Sequence, residues 1–281
     1  MMDLIVYYKP EKQIIAAAMK IFKFLKARKF RVRLLRDGSK VKKSVIGKVD
    51  MLISVGGDGT MLRAARIASQ ADVPIFGVNM GRFGFLSEVG PDEAVKILPK
   101  VLSGHYKLDE RMMIQATVIR GKKKAGHTFA LNDIVISKAG IARLVRLRVY
   151  IDGMLVRTHN ADGIIVSTPT GSTAYNISVG GPIVYPTNPM FIISPICPHS
   201  MSDRPIVIST RKDQRLVNVV IDIEKSPGRH GSVLLTADGQ QVIKLNEGDS
   251  IVFSESTLRT KFIRLKEYDF FKVLRSKLKW D

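Results

Sequence analysis

The apolar run Met51-Leu52-Ile53-Ser54-Val55 leads directly into Gly56-Gly57-Asp58-Gly59-Thr60 and then into helical spacing from Met61 to Ala71. A buried strand, a glycine-rich turn and a helix in that order form half of a parallel βαβ unit, because parallel strands need a crossover that a helix supplies. The flanking sequence repeats the pattern. Leu4 to Tyr8 predicts a buried strand, and Arg31 to Leu35 a second. Between them, apolar residues fall at Ile14, Ala17, Ala18, Ile21, Phe22 and Leu25, at helical spacing. Pro74 to Val78 predicts a fourth strand and Glu93 to Leu102 another helix. Strand alternating with helix predicts an N-terminal α/β domain built on a Rossmann-like parallel sheet.

From about Arg111 the pattern changes to β-rich alternation. Leu147 to Ile151 turns at Asp152-Gly153 and resumes at Met154 to Val156, and Val233 to Thr236 turns near Asp238-Gly239 and returns from Gln241 to Leu245. An Asp-Gly pair between alternating strands is a strong hairpin signal. Further strands are expected at Leu216 to Ile223, Ser250 to Phe253 and Lys261 to Leu265. These segments predict an all-β, sandwich-like second domain, with the boundary between residues 104 and 112. The expected division is 1–107 for the α/β domain, 108–266 for the β-rich domain, and 267–281 for a C-terminal helix, read over Tyr268 to Leu278, packing back on the first domain.

The glycine-rich turn carries the chemistry. Backbone N–H groups at a helix start favour phosphate, and glycines let the backbone approach an anion closely. A carboxylate there repels phosphate, so Asp58 makes little sense in a simple anion site. It does make sense if it helps hold a metal ion or draws a proton from an attacking hydroxyl, and phosphoryl transfer needs both kinds of help. No Gly-Lys-Ser/Thr ending makes the turn a P-loop. Gly57-Asp58-Gly59 begins a dinucleotide fingerprint, but Leu62 stands where its third glycine belongs, which disfavours a dehydrogenase.

A second polar break, Thr168-Pro169-Thr170-Gly171-Ser172-Thr173-Ala174-Tyr175, follows the buried run Gly163 to Ser167. One helix cap needs a single hydroxyl. The crowding of hydroxyls therefore predicts a ligand cradle, with Tyr175 offering a ring face or hydroxyl to a base. Asn132-Asp133 and Asp162 interrupt apolar β runs, as turn residues or as the few polar groups that orient a ligand in an apolar pocket.

Composition sets the boundaries. Lys and Arg outnumber Asp and Glu by 45 to 25, for a net charge of +20, which points to anionic partners. The basic residues lie in scattered clusters, Lys26 to Arg36, Lys40 to Lys43, Lys122 to Lys124 and Arg275 to Lys279, without aromatic interleaving or zinc spacing, so specific nucleic-acid binding is not expected. No apolar run approaches the roughly 20 residues of a membrane helix. The start of the chain does not read as a signal peptide, and Cys197, the single cysteine, allows no internal disulfide, so the expected location is cytoplasmic. Cys197 is expected to be buried and inert, and His199 structural.

Together, Gly56 to Thr60, Asn79-Met80-Gly81-Arg82-Phe83-Gly84-Phe85-Leu86, Leu131-Asn132-Asp133, Asp162 to Tyr175, Ile196-Cys197-Pro198-His199-Ser200 and Arg204-Pro205-Ile206 resemble the NAD kinase family. Similar glycine-aspartate turns occur in lipid kinases and phosphofructokinases, whereas the Thr-Pro-Thr-Gly-Ser-Thr-Ala-Tyr segment is far more specific. The resemblance implies an α/β domain followed by a β-sandwich-like domain, with NAD bound between them. It implies transfer of a terminal phosphoryl group from ATP or inorganic polyphosphate to the 2′-hydroxyl of the adenosine ribose. Asp58 is then the catalytic aspartate, with Gly56, Gly57, Gly59 and Thr60 forming the phosphate site. Phe85, Thr173, Ala174 and Tyr175 surround the adenine, Asn132 and Asp133 hold a ribose, and Asp162 faces the nicotinamide end. Gly59, Leu62, Thr170 and Ser178 complete the dinucleotide contacts. Mg²⁺ or another divalent metal arrives with the donor, no protein residue is assigned to it, and the assembly is a homodimer or homotetramer. One departure is Asn132-Asp133, where the family pattern reads Asn-Glu, one methylene longer. The alternative enzyme is a lipid or sugar kinase using the same turn, which leaves the hydroxyl-rich segment unexplained. A basic nucleic-acid or polyphosphate binder is the non-enzymatic alternative, and it would tolerate loss of Asp58.

Overall fold

A computed structural model describes residues 2–39, 43–81, 84–87, 89–140, 144–224, 232–265 and 269–280. Arg82 and Phe83 of the second motif, Lys40 to Lys42 of a basic cluster and Tyr268 of the expected terminal helix lie outside the described residues. The chain divides into one unit formed by Met1–Arg111 with Leu258–Asp281 and a second formed by Met112–Thr257.

In unit one, β1 (Asp3–Tyr8), α1 (Lys12–Ala27), β2 (Arg31–Arg36), α2 (Lys43–Ile46), β3 (Met51–Gly56), α3 (Asp58–Ala68), β4 (Ile75–Asn79) and α4 (Pro91–Leu102) follow one another. The strands lie parallel in the order β2-β1-β3-β4. β3 is buried at every position, which is why its sequence is a continuous apolar run rather than an alternating one. α1 turns Ile14, Ala17, Ala18, Ile21 and Leu25 inward, onto a core shared with Leu4, Val6, Ile53, Val55 and Phe76. The chain adds β2 on one side of β1 and β3 on the other, so the winding reverses between β1 and β3. In open α/β sheets the crevice outside the carboxyl ends of such a strand pair is the usual place for a ligand. The C-terminal helix, Phe270–Leu278, is capped by Asp269, whose carboxylate accepts the N–H groups of Phe271 and Lys272. Phe270 packs its ring 6.2 Å from that of Phe85.

Unit two is a pair of antiparallel sheets. One contains β7 (Asp133–Lys138), β10 (Gly163–Ser167), β11 (Met190–Ile196), β12 (Ile206–Ser209), β16 (Val233–Ala237) and β17 (Gln241–Leu245), in the order β12-β11-β10-β7-β16-β17. The other contains β8 (Val145–Ile151), β9 (Met154–Ala161), β15 (Val219–Ile223) and the first part of β18 (Asp249–Arg264), with β5 (Lys107–Arg120) pairing β18 and β6 (Lys123–Ala130). Between β12 and β15 a small ribbon pairs β13 (Arg211–Lys212) with β14 (Arg215–Leu216). Ile134, Ile136, Ile164 and Leu235 from one sheet meet Ile114, Leu147, Val219 and Phe253 from the other in a single apolar cluster, as a sandwich requires. Both Asp-Gly hairpins form, with Asp152, Gly153, Asp238 and Gly239 all at positive φ.

Two expectations change. The strands expected at Ser250 to Phe253 and Lys261 to Leu265 are one sixteen-residue strand, β18. Its polar middle looked like a break, but Ser254 accepts a bond from Gln115, and Glu255 accepts the Thr210 hydroxyl at 2.6 Å. The strand expected over Leu216 to Ile223 is shorter, because Leu216 belongs to the ribbon and β15 begins at Val219. No helix of the described residues is long and apolar enough to cross a membrane.

Candidate functional site

Unit one carries a crevice of about 310 Å³ at the carboxyl ends of its strands. Lys9, after β1, and Gly57, Gly59 and Thr60, after β3, flank the point where the winding reverses. Met80 and Gly81 enter from the end of β4, and Glu11, Gln13 and Ile14 from the start of α1. Arg63 reaches the crevice from α3, one turn beyond Gly59. Helix α3 begins earlier than its apolar spacing suggested: Gly57 is its N-cap, Asp58 its first residue, and the N–H groups of Thr60 and Met61 both return to the Gly57 carbonyl. The crevice therefore holds the positive end of a helix dipole and two cationic side chains, an arrangement that attracts phosphate.

Asp58 does not line this crevice; its carboxylate turns toward residues 84–86. A Cβ on Gly84 would fall 1.9 Å from Asp58 Oδ1, so only glycine permits the approach. The backbone N–H groups of Phe85 and Leu86 lean on the carboxylate, yet Oδ1 is buried and makes no full hydrogen bond among the described residues. Burial pushes the Asp58 carboxyl above the usual carboxylate range, against the opposing charge of Lys277, the N–H groups of Phe85 and Leu86, and the charge of Arg264. Behind this loop, Arg264 is 3% exposed. It donates to the carbonyls of Phe85 at 3.3 Å and Leu86 at 3.4 Å, and from Nε to Asp109 at 3.1 Å. Burial alone would raise the Asp109 carboxyl, but the bonds and charges of Arg111 and Arg264 outweigh it and hold the group low. Asp109 thus stays ionised and can anchor Arg264.

In unit two, Asn132, Asp133 and the hydroxyl-rich segment come together. Asp238, from the second Asp-Gly turn, accepts the N–H groups of Leu131 at 3.0 Å and Asn132 at 2.8 Å and returns its own N–H to the Asp133 carbonyl. The Asn132 carbonyl accepts the Thr168 N–H at 2.8 Å, and a Cβ on Gly171 would fall 2.1 Å from that oxygen. The Thr168 hydroxyl donates to the Leu131 carbonyl at 2.5 Å and the Ser172 hydroxyl to that of Pro169 at 2.7 Å. Buried Asn176 donates to the Ser172 and Pro182 carbonyls, both at 3.1 Å, and accepts the Ser194 hydroxyl at 2.7 Å. Two groups stand out against this internal accounting. Asn132 Oδ1 is buried with no partner among the described residues. The Asp133 carboxyl is pushed up to about 7 by burial and by the Asp238 charge beside it.

The other expected site residues are spread over both units. Thr170 is buried, Thr173 and Ala174 are half-buried, and Tyr175 and Ser178 are exposed around the short helix Tyr175–Ser178. Asp162 pairs with Lys138 at 2.6 Å, at the opposite end of β10 from the Ser167–Asp133 pair. Leu62 is buried on α3 and Phe85 is half-buried. Cys197, expected to be buried, is exposed at φ +43°. Among the described residues, the histidine with an acidic partner is His159, buried 3.0 Å from Asp203, while His199 is exposed. Sequence reasoning missed Lys9, Arg63, Asp238, Arg264 and Lys277. Only Arg63 carried a signal, since positions three and four apart on a helix share a face and Thr60 and Gly59 sit at those spacings.

Comparison with known proteins agrees with the fold described here. A family model described as the ATP-NAD kinase N-terminal domain matches residues 11–106, and one described as the ATP-NAD kinase C-terminal domain matches residues 131–265. An NAD kinase of Moorella thermoacetica is 44% identical over 228 residues, covering 81% of this chain and 70% of that protein. An NAD kinase from Archaeoglobus fulgidus, solved in complex with ATP, matches with a TM-score of 0.79 at 27% identity over 99% of each chain. Yeast NADH kinase complexed with NADH matches in fold, with a TM-score of 0.85 at 24% identity, over 100% of this chain and 88% of that one.

Proposed function

The chain belongs to the NAD kinase family, and on that premise we propose how its residues divide the transfer of a terminal phosphoryl group from ATP, or from inorganic polyphosphate, to the 2′-hydroxyl of the adenosine ribose of NAD. The crevice at the start of α3 takes the donor phosphates, with the backbone of Gly56 to Thr60 close to the anion and Lys9 and Arg63 supplying charge. Asp58 receives the proton of the 2′-hydroxyl. As that proton leaves, the alcohol oxygen bonds to the terminal phosphorus and the bond from phosphorus to the bridging oxygen breaks, its electron pair departing with ADP or the shortened polyphosphate. Asn132 and Asp133 hold a ribose, Phe85, Thr173, Ala174 and Tyr175 surround the adenine, Gly59, Leu62, Thr170 and Ser178 complete the dinucleotide contacts, and Asp162 meets the nicotinamide end.

The observation that carries this reading is Asp58 Oδ1, a buried carboxylate oxygen without a full hydrogen bond among the described residues. Burying such an atom unpaired costs free energy unless a ligand completes it. Its raised pKa also suits a base, because proton transfer is most effective when donor and acceptor strengths approach each other. Among the described residues no cluster of three or more His, Cys, Asp or Glu is placed to hold a metal. We assign the divalent cation to the donor phosphates, which would carry it in, and to no protein residue. Bound there, the cation would neutralise charge on the phosphoryl oxygens. The expected self-association has an apolar edge to use, since Met154, Leu155 and Val156 are exposed on β9, and light scattering of the purified protein would give its mass.

The test is direct. Purified protein is incubated with NAD, Mg²⁺ and either ATP or polyphosphate, with diacylglycerol as a competing acceptor, and the product is read with an NADP-specific dehydrogenase. Formation of NADP is expected. Phosphorylation of the lipid alone, or of neither acceptor, overturns the reading.

A further inference from the structure

The crevice in unit one includes two cations, and they are held very differently. Lys9 pairs with Glu11, and both side chains are about half exposed, so that ion pair contributes little to holding Lys9. Arg63 is tethered instead to a buried carboxylate. Its Nε donates to Asp37 Oδ2 at 2.6 Å, and the other oxygen of Asp37, Oδ1, accepts the Tyr7 hydroxyl at 2.5 Å. Asp37 has a side-chain exposure of 9% and Tyr7 is 1% exposed, while Arg63 keeps 35% of its side chain open. Neither Tyr7 nor Asp37 lines the crevice; both sit behind the guanidinium that does.

The sheet fixes this arrangement. Tyr8 pairs with Arg36 in the parallel β1–β2 register, and the Asp37 N–H closes onto the Tyr8 carbonyl at 2.8 Å. Asp37 is therefore locked at the carboxyl end of β2, one residue before Gly38 turns away at φ +85°. Burial, then the hydrogen bond and charge of Asp37, raise the Tyr7 phenol, so Tyr7 remains a hydrogen donor. Charge-assisted bonds of this length hold a side chain in one rotamer, and an arginine fixed along its Nε edge is already ordered before an anion arrives.

The geometry points to Tyr7 and Asp37 as a positioning pair that presets Arg63 as the grip on the donor's phosphate chain. Asp37 acts only through Arg63, and Tyr7 only through Asp37. This rests on the proposed function for the identity of the donor, but not for the existence of the anion site.

Two measurements separate those questions. The first is calorimetric binding of inorganic tripolyphosphate to the full chain. The second is steady-state kinetics varying ATP and NAD separately. Asp37→Asn should weaken tripolyphosphate binding by about tenfold, the scale of one charge-assisted hydrogen bond. Tyr7→Phe, which keeps the buried ring, should weaken it by about threefold. In an Arg63→Ala background, Asp37→Asn should have no further effect. In kinetics the same variants should raise KM for ATP while kcat and KM for NAD move less than about twofold, a split that a merely structural role would not give. If Asp37→Asn or Tyr7→Phe binds tripolyphosphate like the parent, or if Asp37→Asn still weakens binding without Arg63, the pair has no positioning role. A shift in KM for NAD rather than ATP also overturns it. If the parent makes no NADP yet Asp37→Asn still weakens tripolyphosphate binding through Arg63, the pair stands and the functional reading falls. Should Asp37→Asn fail to fold, Tyr7→Phe alone decides.

Discussion

The two polar breaks, Gly56 to Thr60 and Thr168 to Tyr175, look alike in sequence and behave in opposite ways. Each follows a strand buried at every position, β3 in one case and β10 in the other, and each starts a helical turn. In the first, Gly57 and Gly59 line the crevice, and one buried oxygen of Asp58 makes no full hydrogen bond among the described residues. In the second, the hydroxyls of Thr168 and Ser172 and the amide of Asn176 are spent on nearby backbone carbonyls. Dense hydroxyls therefore do not by themselves mark a cradle. Where backbone acceptors lie within reach, Ser, Thr and Asn close on them and become framework. Where glycines remove the side chains, one carboxylate oxygen is left buried without a full hydrogen bond among the described residues, as the proposed role of Asp58 requires.

The sharpest way to break this contrast is Asp58→Asn. The change is nearly isosteric, so the melting temperature should barely move, and dinucleotide affinity should stay near that of the parent. Turnover should fall by about 10³-fold, because a base acts mainly in the transition state. Rapid-quench or coupled assays at saturating NAD would read it, and a variant that keeps most of its kcat removes Asp58 from that role.

Asn176→Ala should behave in the reverse sense. It leaves the fully buried carbonyl of Ser172 and hydroxyl of Ser194, and the partly buried carbonyl of Pro182, without their partner. A loss of about 3 kcal/mol in stability is expected. Urea unfolding would measure it. A loss below about 0.5 kcal/mol would show that the network around the hydroxyl-rich segment is not framework.

How far the sequence shows this division depends on range. The parallel α/β character of unit one follows from apolar runs and helical spacing, and both Asp-Gly hairpins follow from their turn chemistry, since all of these are local signals. Asp58 stood out because a carboxylate is an odd neighbour for a phosphate site. What stayed hidden is long-range. Arg264 reads as an ordinary strand residue until β18 carries it to the carbonyls of Phe85 and Leu86, some 180 positions away in sequence. Asp238 reads as half of a hairpin turn until its carboxylate is found on the N–H groups of Leu131 and Asn132. The long continuous β18 was hidden by Ser254 and Glu255, whose partners Gln115 and Thr210 also lie far off in the chain.

A subtler test concerns Asp133, which belongs to unit two but resembles Asp58 in being a buried carboxyl that burial has raised. Its folded value of about 7 lies above the ordinary 3.8, so the unfolded chain ionises first. Stability is therefore greatest below about pH 4 as far as this group is concerned, and it falls as pH rises through about 7. Asp133→Asn cannot ionise and should lose that dependence. Between about pH 5 and about pH 8 the parent should lose roughly 2–3 kcal/mol more than the variant in denaturant titrations. Equal pH slopes would mean that Asp133 is ionised throughout, as an ordinary ribose-binding carboxylate would be.

The smallest effect probes the part of the second break that is not framework. Tyr175 is 45% exposed, on the turn after the internally bonded residues. Tyr175→Ala therefore removes little from the fold and should change stability by less than about 0.5 kcal/mol. If its ring meets the adenine, KM for NAD should rise roughly fivefold, the scale of one aromatic contact, with kcat nearly unchanged. Unchanged saturation by NAD would place Tyr175 outside the site. The contrast between the two breaks would then be complete, because the second would supply no direct contact through its most exposed side chain.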